Sequence, residues 1–104
     1  MNKVYEDILA SELADAIDIY WDGSRIKLSH TIEIDNDLFA DVNGHVDYEY
    51  TREEDTNSVY MTWVSVTIDS LKVEQYEDGE LTDKAPRLNE VFVKKYLEQY
   101  LLSK

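Results

Sequence analysis

The 104-residue chain has no cysteine, one proline, three glycines, two phenylalanines and two histidines. Without cysteine there can be no disulfide framework, thiolate zinc site, iron–sulfur cluster or thiol nucleophile. The absence fits a reducing compartment, and a cytoplasmic location is expected. Gly23, Gly44 and Gly79 are too scattered to cradle a phosphate, and no G-x-G-x-x-G or Walker pattern occurs. His30 and His45, the only histidines, stand in no elbow-like setting with a nucleophile. Long apolar runs are also missing. The longest uncharged stretch, Thr56 to Ile68, is 13 residues and includes Asn57, Ser58, Thr62, Ser65 and Thr67, too short and too polar to cross a bilayer. The N-terminus shows no apolar core and cleavage site of the signal-peptide kind.

Positive charge is the scarcest commodity: 10 Lys and Arg face 23 Asp and Glu, a formal charge of -13. Such a surface repels phosphate backbones and anionic headgroups, so neither direct nucleic-acid binding nor membrane binding is expected. The apolar content, 43% hydrophobic and 12% aromatic, is nonetheless too high for an acidic disordered tail. Burial scaling allows a chain of this length one self-sufficient core, so residues 1–104 are read as a single domain.

Periodicity supplies the elements. From Val4 to Trp21, Tyr5, Ile8, Leu9, Leu13, Ala16, Ile17 and Tyr20 recur at helical spacing, with Asp7, Ser11, Asp15 and Asp18 on the opposite side and Gly23 as the expected stop. Between Ser24 and Asp35 the period becomes two: Ile26, Leu28, His30, Ile32 and Ile34 share one side of a strand. Asp35-Asn36-Asp37 breaks it, Asn43-Gly44 is expected to turn, and Val46, Tyr48 and Tyr50 form the apolar side of a second strand. The polar run Thr51 to Asn57 reads as a hairpin loop. Ser58 to Gln75 is a long strand whose apolar phase slips between Ile68 and Leu71; a bulge at Asp69-Ser70 explains this better than a turn, because neither residue is glycine. Asp78-Gly79 is a good tight turn. Beyond Pro86, a second amphipathic helix points Phe92, Val93, Tyr96, Leu97, Tyr100 and Leu101 inward and Lys94, Glu98 and Gln99 outward. The fold class is therefore α+β: an antiparallel sheet of three to four strands flanked by an N-terminal and a C-terminal amphipathic helix, both expected on one sheet face.

Chemistry is harder to find. With 23 acids, some carboxylate pair will stand at glycosidase spacing by chance, and one sheet with two helices offers little material for a sugar pocket. Asp35, Asp37, Asp41 and Asn43 resemble a calcium loop only superficially, because Phe39 stands at the third ligand position and Ala40 where the glycine belongs. No catalytic residue, metal site or cofactor is expected, and the chain is read as a non-enzyme.

Charge is unevenly spread. Residues 1–83 carry a net -16 and residues 84–104 a net +3. Candidate acidic interaction residues are Asp7, Asp15 and Asp18 on the first helix, Glu33, Asp35, Asp47 and Glu49 on strands, and Glu53, Glu54 and Asp55 in the loop. Carboxylates two apart on a strand lie about 6.6 Å apart, whereas duplex DNA shows a charge per about 1.7 Å of axis, so several rows must converge to imitate it. The first functional reading is an acidic module that occupies a basic, nucleic-acid-binding surface of a partner protein as an inhibitor or nucleic-acid mimic. The second is an accessory subunit that self-associates, as a homodimer for instance, through an apolar patch of Val59, Met61 and Trp63 on one sheet face. Salt separates the two: charge docking should weaken steeply from low to high ionic strength, whereas a self-association seen by sedimentation should hold or tighten.

Overall fold

The computed structural model describes residues 2–19, 23–56 and 58–103, with backbone only for residues 2–4. Helix α1 (Asn2–Ala16) is followed by strands β1 (Arg25–Asp35), β2 (Leu38–Arg52), β3 (Val59–Glu77) and β4 (Glu80–Thr82), and by helix α2 (Glu90–Leu102). The four strands form one antiparallel sheet in the order β1-β2-β3-β4. Both helices lie on one face of it, the α+β helix-strands-helix arrangement expected from the pattern.

Alternation decides which side chains enter the core. Leu28 of β1, Val42, Val46 and Tyr48 of β2, and Val64 and Val66 of β3 are buried beneath Leu9, Leu13 and Ile17 of the α1 segment and Val93, Leu97 and Leu101 of α2. On α2 these three residues follow a four-residue period, which keeps one narrow stripe against the sheet. Phe92 and Tyr100, expected inward, sit at the stripe's margins, 37% and 36% exposed. The first helix is also shorter than its pattern. It ends at Ala16, well before Gly23, although Ile17 continues the buried stripe through an N–H donated to the Leu13 carbonyl (3.0 Å). Tyr20, Trp21 and Asp22 lie outside the described residues.

A hydrogen bond from the start of α2 to α1 joins the two ends of the chain. Glu6 is the one buried charged side chain among the described residues, 1% exposed, and its carboxylate accepts the backbone N–H of Asn89 at 2.6 Å. Asn89 in turn caps α2, its side-chain oxygen accepting the Val91 N–H at 2.9 Å. A donor at a helix start is thus satisfied by each partner, which is how a buried carboxylate is tolerated.

The sheet corrects the expected turns. Asn43-Gly44 is not a turn: β2 runs unbroken from Leu38 to Arg52, and the first hairpin closes at Asn36-Asp37, where Asp37 takes φ 58°. That turn is fastened to β3, because the Asp37 carbonyl accepts both the Tyr76 N–H (2.8 Å) and the Gln75 side-chain amide (3.2 Å). Gly44 serves a different need. A Cβ there would lie 1.9 Å from the Thr67 carbonyl oxygen, so only glycine lets β3 approach this closely. The approach accompanies the bulge expected at Asp69-Ser70, which is present: Asn43 pairs with Ser70 and Gly44 with Ile68, leaving Asp69 unpaired. At the far end Asp78-Gly79 makes the expected tight turn, both residues having positive φ (53° and 82°), as a primed turn requires.

A second bulge has no counterpart in the sequence reading. Glu49 pairs with Trp63 and Tyr50 with Met61, so Thr62 is extra. Strand length then sets the shape. A 13-residue helix is about 20 Å long and a 15-residue strand about 50 Å, so the β2–β3 hairpin must outrun the helix layer. The molecule measures 56 × 24 × 20 Å. Because β1 starts at Arg25, opposite Asp47, residues 49–52 and 59–63 pair, among the described residues, only with each other and form a two-stranded arm.

These features predict different costs for two glycines. Gly44→Ala must move backbone and should lower the unfolding free energy in urea by about 3 kcal/mol, the upper end for overpacking. Gly79→Ala meets open space and pays only for its left-handed backbone, about 1 kcal/mol. Equal effects would show that the β3 backbone is not held against Gly44.

Candidate acidic and aromatic surface

The sheet has an outer face, away from the helices, which no described helix or strand covers. Its middle is polar and crosses three strands: the Ser29 hydroxyl donates to Asn43 Oδ1 (3.2 Å), and Asn43 Nδ2 donates to the Ser70 hydroxyl (3.3 Å). Toward β4, Phe39 and Tyr76 meet edge to face with ring centres 5.8 Å apart. Toward the arm the face becomes charged and then aromatic.

Asp47 anchors the charged part. Arg25 Nε donates to its carboxylate at 2.5 Å, and His45 Nε2 stands 3.5 Å away. The Arg25 hydrogen bond holds the Asp47 carboxyl below its ordinary range. Asp47 therefore contributes a neutralised pair rather than a free negative charge. Glu49, the next acid along β2, is exposed beside Trp63. Glu53, Glu54 and Asp55 follow in the exposed hairpin end, which closes through the Glu53 N–H on the Ser58 carbonyl (2.8 Å).

The remaining candidate acids lie elsewhere. Glu33 is exposed on the outer face of β1, and Asp35 ends that strand, its carboxylate accepting the Asn36 N–H at 2.8 Å. Asp7 and Asp15 are exposed on α1, in the layer that covers the other face of the sheet, and Asp18 is exposed just beyond the end of that helix. Asp7 accepts the Tyr100 hydroxyl, which joins α1 to α2 and raises the Tyr100 pKa above its ordinary value. Helix and strand acids thus lie in different layers, and only Glu49, Glu53, Glu54 and Asp55 gather at one end.

The bulge at Thr62 rearranges the apolar candidates. Paired residues point to the same side of a sheet, so Met61 and Val59 follow Tyr50 and Arg52 to the helix side, whereas Trp63 and Tyr60 follow Glu49 and Thr51 to the outer face. Met61 is half-buried against the core, and Val59 is 38% exposed. The patch of Val59, Met61 and Trp63 on one face is therefore replaced by Tyr60 and Trp63, each 49% exposed and sharing a face with Glu49.

Other sites are poorer in chemistry. His30 is half-buried on the helix side of β1 and His45 lies on the outer face of β2, so the sheet separates the two histidines. Among the described residues no group of three or more His, Asp or Glu is placed to hold a metal ion. No described helix is long and apolar enough to cross a membrane. An open groove between β3 and the segment before α2 is lined by Leu71, Val73, Pro86 and Leu88, with Arg87, Asn89 and Glu90 also along it. Glu98, expected to face solvent, is half-buried, and its carboxylate accepts the Val66 N–H of β3 at 2.8 Å. Helical spacing alone could not reveal this, because it depends on where α2 crosses the sheet edge.

The Tyr100–Asp7 contact yields a pH prediction. A raised phenol pKa means that the neutral form is favoured in the fold, so the contact is present below about 10, the ordinary tyrosine value, and is lost as pH rises through the higher folded value. In an absorbance titration at alkaline pH, Asp7→Ala should shift one tyrosine to lower pKa, and an unchanged curve would remove the contact.

Comparison with protein-family models, with curated proteins and with solved structures gives no match to this chain.

Proposed function

We propose that this protein is a non-enzymatic interaction module that docks the free end of its β2–β3 hairpin onto a basic surface of a partner protein. The observation that carries the reading is the juxtaposition at that end: exposed Trp63 and Tyr60 share the outer face with Glu49, and Glu53, Glu54 and Asp55 follow at the tip. Aromatic side chains with one apolar and one polar end dominate binding energy at interfaces, and surrounding charge selects the partner and speeds encounter. A two-stranded ribbon is marginally stable alone, so an arm of this kind gains order from a partner that packs on it.

A partner surface built to hold nucleic-acid phosphates fits this chemistry, and occupying it would make the protein an inhibitor. Extended imitation of a duplex finds less support. Asp7 and Asp15 lie on the helix layer, across the core from the strand row, and Asp47 is already paired with Arg25. The arm's few carboxylates suit a local contact instead.

The test compares two variants of equal net charge. An arm triple, Glu53→Gln, Glu54→Gln and Asp55→Asn, and a helix triple, Asp7→Asn, Asp15→Asn and Asp18→Asn, are titrated calorimetrically against an arginine-rich protein such as protamine at low salt. The arm triple should lose about tenfold in affinity, the size expected when roughly 1.4 kcal/mol of charge contact disappears. The helix triple should lose far less, and Trp63→Ala should weaken binding as the arm triple does. Equal losses from both triples, with Trp63→Ala unchanged, would mean that only net charge matters and would remove the arm as a docking element.

A further inference from the structure

The edges of the sheet are treated unequally. β1, one edge, carries Arg25, Lys27 and Glu33 along its exposed face and ends on exposed Asp35, and charge of this kind discourages a further strand from adding. β3 is the other edge for most of its length, because β4 pairs only with Gln75, Tyr76 and Glu77. Its open part begins with an uncharged stretch, Val59 to Ile68, in a chain that is 32% charged. The bulges at Thr62 and Asp69 bend that edge at two points and leave one regular run between them, Trp63 to Ile68. This run reads Trp-Val-Ser-Val-Thr-Ile: six residues, five of them of high β propensity, with no charge, glycine or proline, the composition that pairs most readily with its own kind.

A second copy of this chain is the occupant such a run invites. Elsewhere two molecules of charge -13 repel each other, but antiparallel pairing of this run with itself brings no like charges together. One carboxylate stands in the way. Glu98 reaches from α2 to the middle of the run and accepts the Val66 N–H at 2.8 Å. An incoming strand would need that donor for its own carbonyl oxygen, and it would meet a negative charge where it must place that oxygen.

We propose that Glu98 is an edge guard, closing the Trp63–Ile68 edge of β3 to a second copy of this chain. The guard satisfies one edge donor and repels the oxygens of an approaching strand. Its position explains why a half-buried carboxylate sits on the helix layer beside buried Leu97. This inference is independent of arm docking, because it concerns the centre of the β3 edge and needs no partner protein.

The experiment measures mass by sedimentation equilibrium and amide exchange by NMR over a range of concentrations. The wild-type chain should remain a monomer, with the Val66 amide protected to the same degree at every concentration. Glu98→Ala should double in mass or grow larger, with the amides of 63–68 becoming more protected as concentration rises. Adding Ser65→Lys, which places a cation on the outer face of the run, should return Glu98→Ala to a monomer. A monomeric Glu98→Ala, or an association that Ser65→Lys leaves intact, would overturn the proposal. If Glu98→Ala does not fold, the wild-type chain still decides: a Val66 amide exchanging as freely as an exposed loop amide, or a wild-type dimer paired through 63–68, would overturn it equally.

Discussion

The close approach of β3 to Gly44 is the constraint on which the rest of the structure depends. With the Thr67 carbonyl where a Cβ would stand, β2 and β3 have little freedom to slide past one another. In a sheet a slip of one residue reverses every side chain, so fixing this point fixes which residues face the helices. Val42, Val46 and Tyr48 then line the core together with Val64 and Val66, and the helices have a continuous apolar surface to cover. The two bulges work outward from that point. Asp69 restores the phase for Leu71 and Val73, and Thr62 reverses the phase for the arm.

Phase also sorts the charge. A chain with 23 acids and 10 bases cannot neutralise itself, and the fold distributes the excess to both outer sides instead of concentrating it. The helix-layer acids and the outer-face acids are held apart by the buried core. Arg25 compensates Asp47, and Lys84 lies 3.3 Å from Glu77 near the opposite end of the sheet. What stands out at the arm is therefore the company its acids keep, two exposed aromatic rings on the same face, more than their number.

Much of this was legible in the residues. The period of two from Ile26 to Ile34 gave β1 almost to its ends, and the phase slip after Ile68 marked a bulge whose position the pairing bears out. At Asn43-Gly44 periodicity outweighs the turn dipeptide: Leu38, Ala40, Val42, Gly44, Val46, Tyr48 and Tyr50 keep one phase throughout, which is the pattern of a single unbroken strand. Thr62 left no comparable trace. Apolar residues occupy both phases from Val59 to Trp63, so a slip there changes no alternation that could be read. The contact of Glu98 with Val66 spans elements 32 residues apart, and only the crossing of α2 over the sheet edge creates it.

The register across the arm is the most direct point at which the whole account can be checked, since the placement of Tyr60 on the face of Glu49 and Trp63 rests on it. Cross-strand nuclear Overhauser contacts on the labelled protein report it without any substitution. The bulged register predicts contacts between Glu49 and Trp63, Tyr50 and Met61, and Thr51 and Tyr60. Contacts joining Tyr50 to Thr62, Thr51 to Met61 and Arg52 to Tyr60 would instead show an unbulged strand, with Tyr60 turned to the helix side, and would contradict the account.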